Sequence, residues 1–468
     1  MSKTLFQLWG ATLEREPSAT AVVEAASGRK WSRASLAAGA AAFSASLSLA
    51  GGDIFLRRRV AMSVPNGADW FHAFIGLLSA GAIPAPIDPS DPEEAQLAAA
   101  RRIGASHLWR DGRLARLGRG ARPARDEALV KLTSASTGAP RGLPATQAQM
   151  EADGRQVCAT MGIRPTDASL AAIPLGYSYG LGNLVLPLLI QGSPVICASS
   201  AFPQALAADV ARFRPSVFPA VPPLLKALVD ADLPGQSLAS LRLVISAGSP
   251  LDPALAMAFA GKFGVPIHGF YGTSETGGIA FDRTGRATQR GLGVGTALEG
   301  VTLSRRTGGR IWVSSAAVLG RGRFSPADRA ELGKDGTLRL LGRTDRVVKV
   351  AGRRVDLAEI ERALRTVPGV SDASSHLLGG PKPLLAAAVA TALAPAEVKR
   401  LLRGKLASWK IPTRIVALSR FPVTVRGKAD GRRLRQLLAA PTLNLPAGAR
   451  TIASISTLSA SRQMSASR

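Results

Sequence analysis

Between residues 5 and 111 the chain alternates stretches whose apolar positions recur with helical spacing and short apolar runs of strand length. The segment RRRVAMSVPNGADWFHAFIGLLSAGAIPAPIDPSDPEE shows this rhythm, and its proline-rich end stops one helix and starts a new extended segment. Residues 113–127 are basic and broken by Gly and Pro, which predicts an exposed connection. Beyond them, apolar runs recur at 169–174, 194–198, 216–220 and 241–246, separated by stretches such as 222–232 that suit helices. Strands alternating with helices predict an α/β layered fold. The spacing keeps no fixed period, so no internal repeat is expected.

A different pattern begins near Leu341, where LGRTDRVVKVAGRRVDLAEIERAL sets charged strands before an amphipathic helix. It predicts a small α+β unit ending near Leu438. The expected division is a large N-terminal multi-layer α/β domain over 1–343 and a C-terminal domain over 344–440. The Ser-, Ala- and Thr-rich residues 441–468 are expected to form a disordered tail.

Composition narrows the function classes. With 468 residues, 46% of them hydrophobic, the chain can bury the cores of two or three domains. Its most apolar segment, 184–196, is interrupted by Pro187, Gln191, Gly192 and Pro194 and reads as buried core, short of the roughly 18 apolar residues that argue for a membrane span. The N-terminus lacks the long apolar core of a secretory signal, so a cytoplasmic enzyme is expected. Cys158 and Cys197 are the only cysteines, which excludes a multi-bridge framework. His72, His107, His268 and His376 are too scattered for a local zinc motif and read as structural. The net charge of +27 is mostly arginine spread along the chain without a nucleic-acid-binding signature, so no specific nucleic acid is expected. Such a surface attracts ATP, CoA phosphates, anionic lipid or an acidic carrier protein.

Four segments carry candidate chemistry. In LTSASTGAPRG, residues 132–142, small hydroxylated side chains and glycines suit backbone N–H groups wrapping phosphate oxygens beside a cation, although this is not a Walker loop. In FYGTSET, residues 270–276, a tyrosine face can pack on adenine, and a carboxylate beside hydroxyls can hold Mg²⁺ near triphosphate oxygens. All three tyrosines of the chain lie here or in PLGYSYG, residues 174–180, which favours a functional reading of both. The third and fourth segments are GRTDRVVKVAGRR, residues 342–354, and PVTVRGK, residues 422–428.

In that order these segments resemble the adenylate-forming superfamily of acyl-CoA synthetases and AMP-dependent ligases, and the likeness runs from about residue 5 to 438. The resemblance implies a large N-terminal α/β domain and a small mobile C-terminal lid. It implies that Thr133, Ser134, Ser136, Thr137, Gly138, Arg141 and Gly142 hold the ATP phosphates. Tyr271, Gly272, Thr273, Ser274, Gly248 and Arg343 would meet the nucleotide, with Glu275 at Mg²⁺ and Asp328 at the ribose. Lys428, Glu275 and Thr137 would be catalytic. Asp345 would be the hinge, and Lys349 and Gly352 would belong to the loop of the thiol step. Tyr177, Ser178, Val221, Ala247, Gly248 and Gly269 would line the acid pocket. The implied reaction joins a carboxylic acid to AMP, then passes the acyl group to CoA or to carrier-protein phosphopantetheine.

Three positions depart from the family pattern. Ala135 stands where glycine is usual, at a cost of about 1 kcal/mol if positive φ is required. Arg141 replaces the usual lysine with a planar fork, and Tyr177 stands where histidine is frequent. The 174–184 stretch, PLGYSYGLGNL, holds no carboxylate to pair with an amine, so a neutral acyl or aryl acid fits better than an amino acid. A degenerate nucleotide-binding paralogue is the alternative of another class.

Overall fold

The computed structural model describes residues 3–49, 55–133, 141–343, 346–350, 353–379, 384–403, 405–423 and 429–440. A nine-stranded sheet forms the spine of the large part, in the order Thr296–Ala297, Gly277–Phe281, Ile267–Thr273, Leu243–Ser246, Val217–Ala220, Ser169–Ala171, Val195–Cys197, Thr20–Glu24 and Lys30–Ser32. From Ile267–Thr273 to Thr20–Glu24 every neighbouring pair is parallel. These inner strands are buried nearly end to end, as strands covered by helices on both faces must be. The apolar runs foreseen at 169–174, 194–198, 216–220 and 241–246 are four of them, and the helix Pro222–Asp230 follows as expected.

A second sheet orders Ile83–Pro86, Arg59–Ser63, His107–Arg110 and Arg113–Arg116. The last strand corrects the reading of 113–127 as pure connection. Asp111 and Gly112, both at positive φ, make the tight turn that folds it back on His107–Arg110. The strand stays mostly exposed because it is a charged edge. Between the sheets, the helix Ala68–Ser79 buries Trp70, Phe71 and Phe74, with Trp70 and Phe74 stacked at 4.8 Å. Removing one such ring costs about 3–5 kcal/mol. The antiparallel pair Glu127–Leu132 and Gly142–Thr146 packs against Ile83–Pro86.

The C-terminal part follows short antiparallel strands, the last being Asp328–Leu332 paired with Leu338–Arg343. It contains a three-stranded sheet of Val370–Leu378, Leu384–Thr391 and Arg414–Leu418, and the helices Leu357–Arg365, Pro395–Leu402 and Gly431–Ala439. Arg346 pairs with Glu361 and donates to the Ser375 carbonyl at 3.1 Å, so the chain is pinned to this part three residues after Arg343 ends the preceding strand. Across the junction, Arg329 Nη1 lies 3.1 Å from Asp356 Oδ2, and Arg362 Nη1 donates to the Leu341 carbonyl at 3.2 Å. Among the described residues no helix is long and apolar enough to cross a membrane.

Candidate functional site

In a parallel sheet the carboxyl ends of all strands open on one edge, where connections diverge and leave a crevice. The register aligns Ala220 with Ser246 and Ser246 with Gly269, so Val221, Ala247 with Gly248, and Tyr271 emerge together at that edge. The 172–177 stretch leaves the same edge after Ser169–Ala171.

Tyr271, Gly272 and Thr273 finish the strand Ile267–Thr273, and the chain turns at 274–276 into the antiparallel strand Gly277–Phe281. Buried Thr276 fastens this turn, its Oγ1 lying 3.0 Å from Thr273 Oγ1 and accepting the Thr273 N–H at 3.3 Å. Glu275 sits at the tip, half-buried, with its carbonyl accepting the Leu319 N–H at 2.8 Å. No described residue hydrogen-bonds its carboxylate. An unengaged carboxylate at this depth fits a hard cation such as Mg²⁺, which takes one or two protein carboxylates and completes its shell with phosphates and water. Among the described residues no group of three or more His, Cys, Asp or Glu could hold a metal.

The Tyr271 hydroxyl donates to Asp328 Oδ2 at 2.8 Å. Burial, then the charge and hydrogen bond of Asp328, push this phenol far up, so it stays a donor. Asp328 is the Cα partner of Arg343 in the antiparallel pair, which sets an exposed guanidinium strand-opposite the carboxylate.

On the acid side, Asn66 clasps the segment after Ser169–Ala171: its Nδ2 donates to the Ile173 carbonyl at 2.8 Å, and its Oδ1 accepts the Leu175 N–H at 3.0 Å. The Tyr177 hydroxyl donates to Asp88 Oδ2. Ser178 Oγ donates to Ser274 Oγ at 2.8 Å, joining this segment to the turn that carries Glu275. A cavity of about 230 Å³ lies beside Tyr177, walled by Val64, Trp70, Ile87, Asp88 and Ile173 among others. Val221 caps the helix Pro222–Asp230, Ala247 is buried, and Gly248 takes a φ of 87° in the exposed turn that follows. Gly269 is inside its strand, its N–H donating to Thr288 Oγ1 at 2.9 Å.

Thr133 and Arg141 pair at either end of residues 134–140: the Thr133 N–H donates to the Arg141 carbonyl at 2.9 Å, and the Arg141 N–H to Thr133 Oγ1 at 3.2 Å. Gly142 pairs with Leu132 just below. Ser134, Ser136, Thr137 and Gly138 lie outside the described residues, as do Asp345, Gly352 and Lys428. Lys349 is on the strand Val347–Val350, opposite Arg354.

Tyr179 differs from its two fellow tyrosines. Its buried hydroxyl bonds the carbonyls of Ile245 at 3.0 Å and Ala220 at 3.3 Å, bracing two strand ends, and burial pushes its phenol up. The cysteines are buried and free, each thiol pushed up to about 12, chiefly by burial. Each histidine has an intramolecular partner: Asp69, Ser106, the Asp282 carbonyl and Ser374 respectively. Sequence reasoning missed Asn66, Asp88, Lys131 and Asp153. A lysine within the apolar run ALVKL, residues 128–132, was the one available signal.

Comparison with known proteins places these segments in context. A family profile described as AMP-binding enzyme matches residues 10–117 and 111–304. The p-hydroxybenzoic acid–AMP ligase FadD22 of Mycobacterium tuberculosis is 30% identical over 346 residues, covering 66% of this chain. That match spans 48% of FadD22, so the chain corresponds to about half the length of this relative. Feruloyl-CoA synthase of Amycolatopsis is 27% identical over 337 residues, 65% of this chain and 68% of that protein. Among solved structures, ATP-bound MatB from Rhodopseudomonas palustris superposes with a TM-score of 0.80 at 20% identity, covering 93% of this chain and 99% of that one.

Proposed function

Because this chain belongs to the AMP-binding enzyme family of adenylate-forming acid ligases, we propose that it activates a neutral acyl or aryl carboxylic acid with ATP and transfers the acyl group to the thiol of CoA. The observation that carries this reading is the Tyr271–Asp328 hydrogen bond, which joins an adenine-stacking candidate to a ribose-binding candidate 57 residues away, at the open edge of the parallel sheet.

In the first half-reaction a substrate carboxylate oxygen attacks the α-phosphorus of ATP, the bond to the bridging α–β oxygen breaks, and pyrophosphate leaves. Thr133, Ser134, Ser136, Thr137, Gly138, Arg141 and Gly142 hold the β- and γ-phosphates, and Lys428 steadies charge developing around the α-phosphorus. Asp328 accepts both ribose hydroxyls, a role a carboxylate can fill with its two oxygens. Glu275 would hold Mg²⁺, which supplies neutralising charge to the triphosphate. In the second half-reaction the small domain turns about Asp345, Lys428 withdraws, and the segment with Lys349 and Gly352 approaches. The thiol sulfur attacks the acyl carbon, the carbon–oxygen bond to AMP breaks, and the thiol proton passes to solvent. Both chain cysteines are buried and protonated, which supports an incoming thiol as nucleophile.

Carrier-protein phosphopantetheine is the alternative acceptor, and the net charge of +27 suits either polyanion. Acid-dependent ATP–pyrophosphate exchange across fatty and aromatic acids tests the first half. Thioester formation with CoA against holo carrier protein tests the second. A protein that binds ATP yet exchanges pyrophosphate with no acid would be the non-catalytic paralogue instead.

A further inference from the structure

Lys131 is 1% exposed, on the strand Glu127–Leu132, where its neighbours are Ala128, Leu129, Val130 and Leu132. An ammonium at that depth carries a desolvation cost of several kcal/mol unless opposite charge surrounds it. Among the described residues its ion-pair partner is Asp153, whose Oδ2 lies 4.0 Å from Nζ, within ion-pair range but beyond a hydrogen bond. Among the described residues, Lys131 Nζ makes no hydrogen bond. Glu275 supplies a second negative charge that Lys131 feels, and these two carboxylates oppose the lowering of its pKa by burial.

Asp153 is held firmly. Its helix, Gln147–Met161, starts at a capping box in which Thr146 Oγ1 accepts the Gln149 N–H at 3.2 Å and Gln149 Oε1 accepts the Thr146 N–H at 2.9 Å. Asp153 Oδ1 accepts the Gly278 N–H at 3.0 Å. At Gly277, with φ of 68°, an added Cβ would lie 2.2 Å from Asp153 Oδ1, so the carboxylate is packed hard against the strand that begins two residues after Glu275. Lys131 is two residues before Thr133, which follows the end of the strand at Leu132 and continues its pairing by donating its N–H to the Arg141 carbonyl at 2.9 Å.

We propose that Lys131 is a positioning residue of the nucleotide site: paired with Asp153, whose carboxylate holds the Gly278 N–H, its ammonium ties the strand leading to Thr133 to the turn carrying Glu275, and thereby orients both toward the β- and γ-phosphates of a nucleoside triphosphate. The inference rests on the proposed use of ATP.

Its test separates this role from simple core packing. Removing one member of a buried ion pair destabilises a fold, whereas replacing both with neutral groups is close to neutral. Lys131→Met alone therefore lowers the melting temperature, and Lys131→Met with Asp153→Asn recovers it, since asparagine still accepts the Gly278 N–H. Equilibrium binding of MgATP and of AMP is then measured on wild type and double variant by titration calorimetry. The expected result is MgATP weakened by about tenfold or more in the double variant, with AMP, which lacks the β- and γ-phosphates, changed by less than about threefold. Wild-type affinity for MgATP in the double variant would overturn the proposal, as would equal weakening of both nucleotides. A wild-type protein that binds MgATP but exchanges pyrophosphate with no acid counts against the proposed function alone.

Discussion

The Tyr271 hydroxyl donates across 2.8 Å to Asp328 Oδ2, so a phenol at the end of the central sheet and a carboxylate on a separate antiparallel pair meet in one site. Two consequences separate ring from hydroxyl. Asp328→Ala removes the proposed acceptor of both ribose hydroxyls, each worth about 1.5–3 kcal/mol as a bond to a charged group. A rise of roughly 100-fold or more in KM for ATP is expected. Tyr271→Phe keeps the ring face and leaves Asp328 for the ribose, so KM should move by less than about threefold. Steady-state pyrophosphate exchange at varied ATP checks both.

Lys428→Ala should abolish acid-dependent pyrophosphate exchange while leaving thioester formation from supplied acyl-AMP largely intact, because the proposed mechanism uses this ammonium in the first half-reaction alone. The two half-reactions are assayed separately. Equal loss in both would refute the assignment.

Tyr179→Phe deletes a buried hydroxyl that donates to the Ile245 carbonyl and reaches the Ala220 carbonyl, which also accepts the Ala247 N–H at 3.3 Å. Losing such a hydrogen bond costs about 0.5–1.5 kcal/mol, so the urea midpoint should fall while KM for ATP stays within about twofold. A large KM change without loss of stability would mean that Tyr179 serves the site directly.

His376 is held down at about 4 by burial, with Arg346 and Arg435 adding repulsion. Its folded value lies below the ordinary 6.5 of the unfolded chain, so the unfolded chain binds this proton first as pH falls. The contribution to stability is complete above pH 6.5 and is lost as pH drops toward 4. His376→Gln should flatten that part of the pH–stability curve, measured by urea unfolding followed at the C-terminal part. An unchanged slope would show that other groups govern acid unfolding.

Sequence periodicity located four of the six inner parallel strands because each is a short apolar run between turn formers, and composition excluded a disulfide framework because two cysteines cannot build one. The edge strand Arg113–Arg116 escaped notice because a half-solvated strand carries the charged residues of a loop. Tyr179 was grouped with Tyr177 and Tyr271 by proximity in the chain, while the hydroxyl partners that distinguish it come from strands 41 and 66 residues away. Lys131 and Asp153 were missed for the same reason: residues 131 and 153 lie far apart along the chain, and their encounter is made only when a helix folds back over a strand.

Arg343 closes one strand, and Arg346 is already moored to Glu361 and Ser375, which leaves two residues of chain between fixed points. Three Cα–Cα steps, from residue 343 to residue 346, span at most about 11 Å, so the two parts cannot move far apart. The proposed turn about Asp345 would therefore concentrate in a handful of backbone torsions. Two contacts among the described residues bridge the parts, the part-buried pair of Arg329 with Asp356 and the exposed bond from Arg362 to the Leu341 carbonyl, and such a turn would have to break both. Raising the salt concentration would weaken the more exposed of these links first and so lower the cost of the turn.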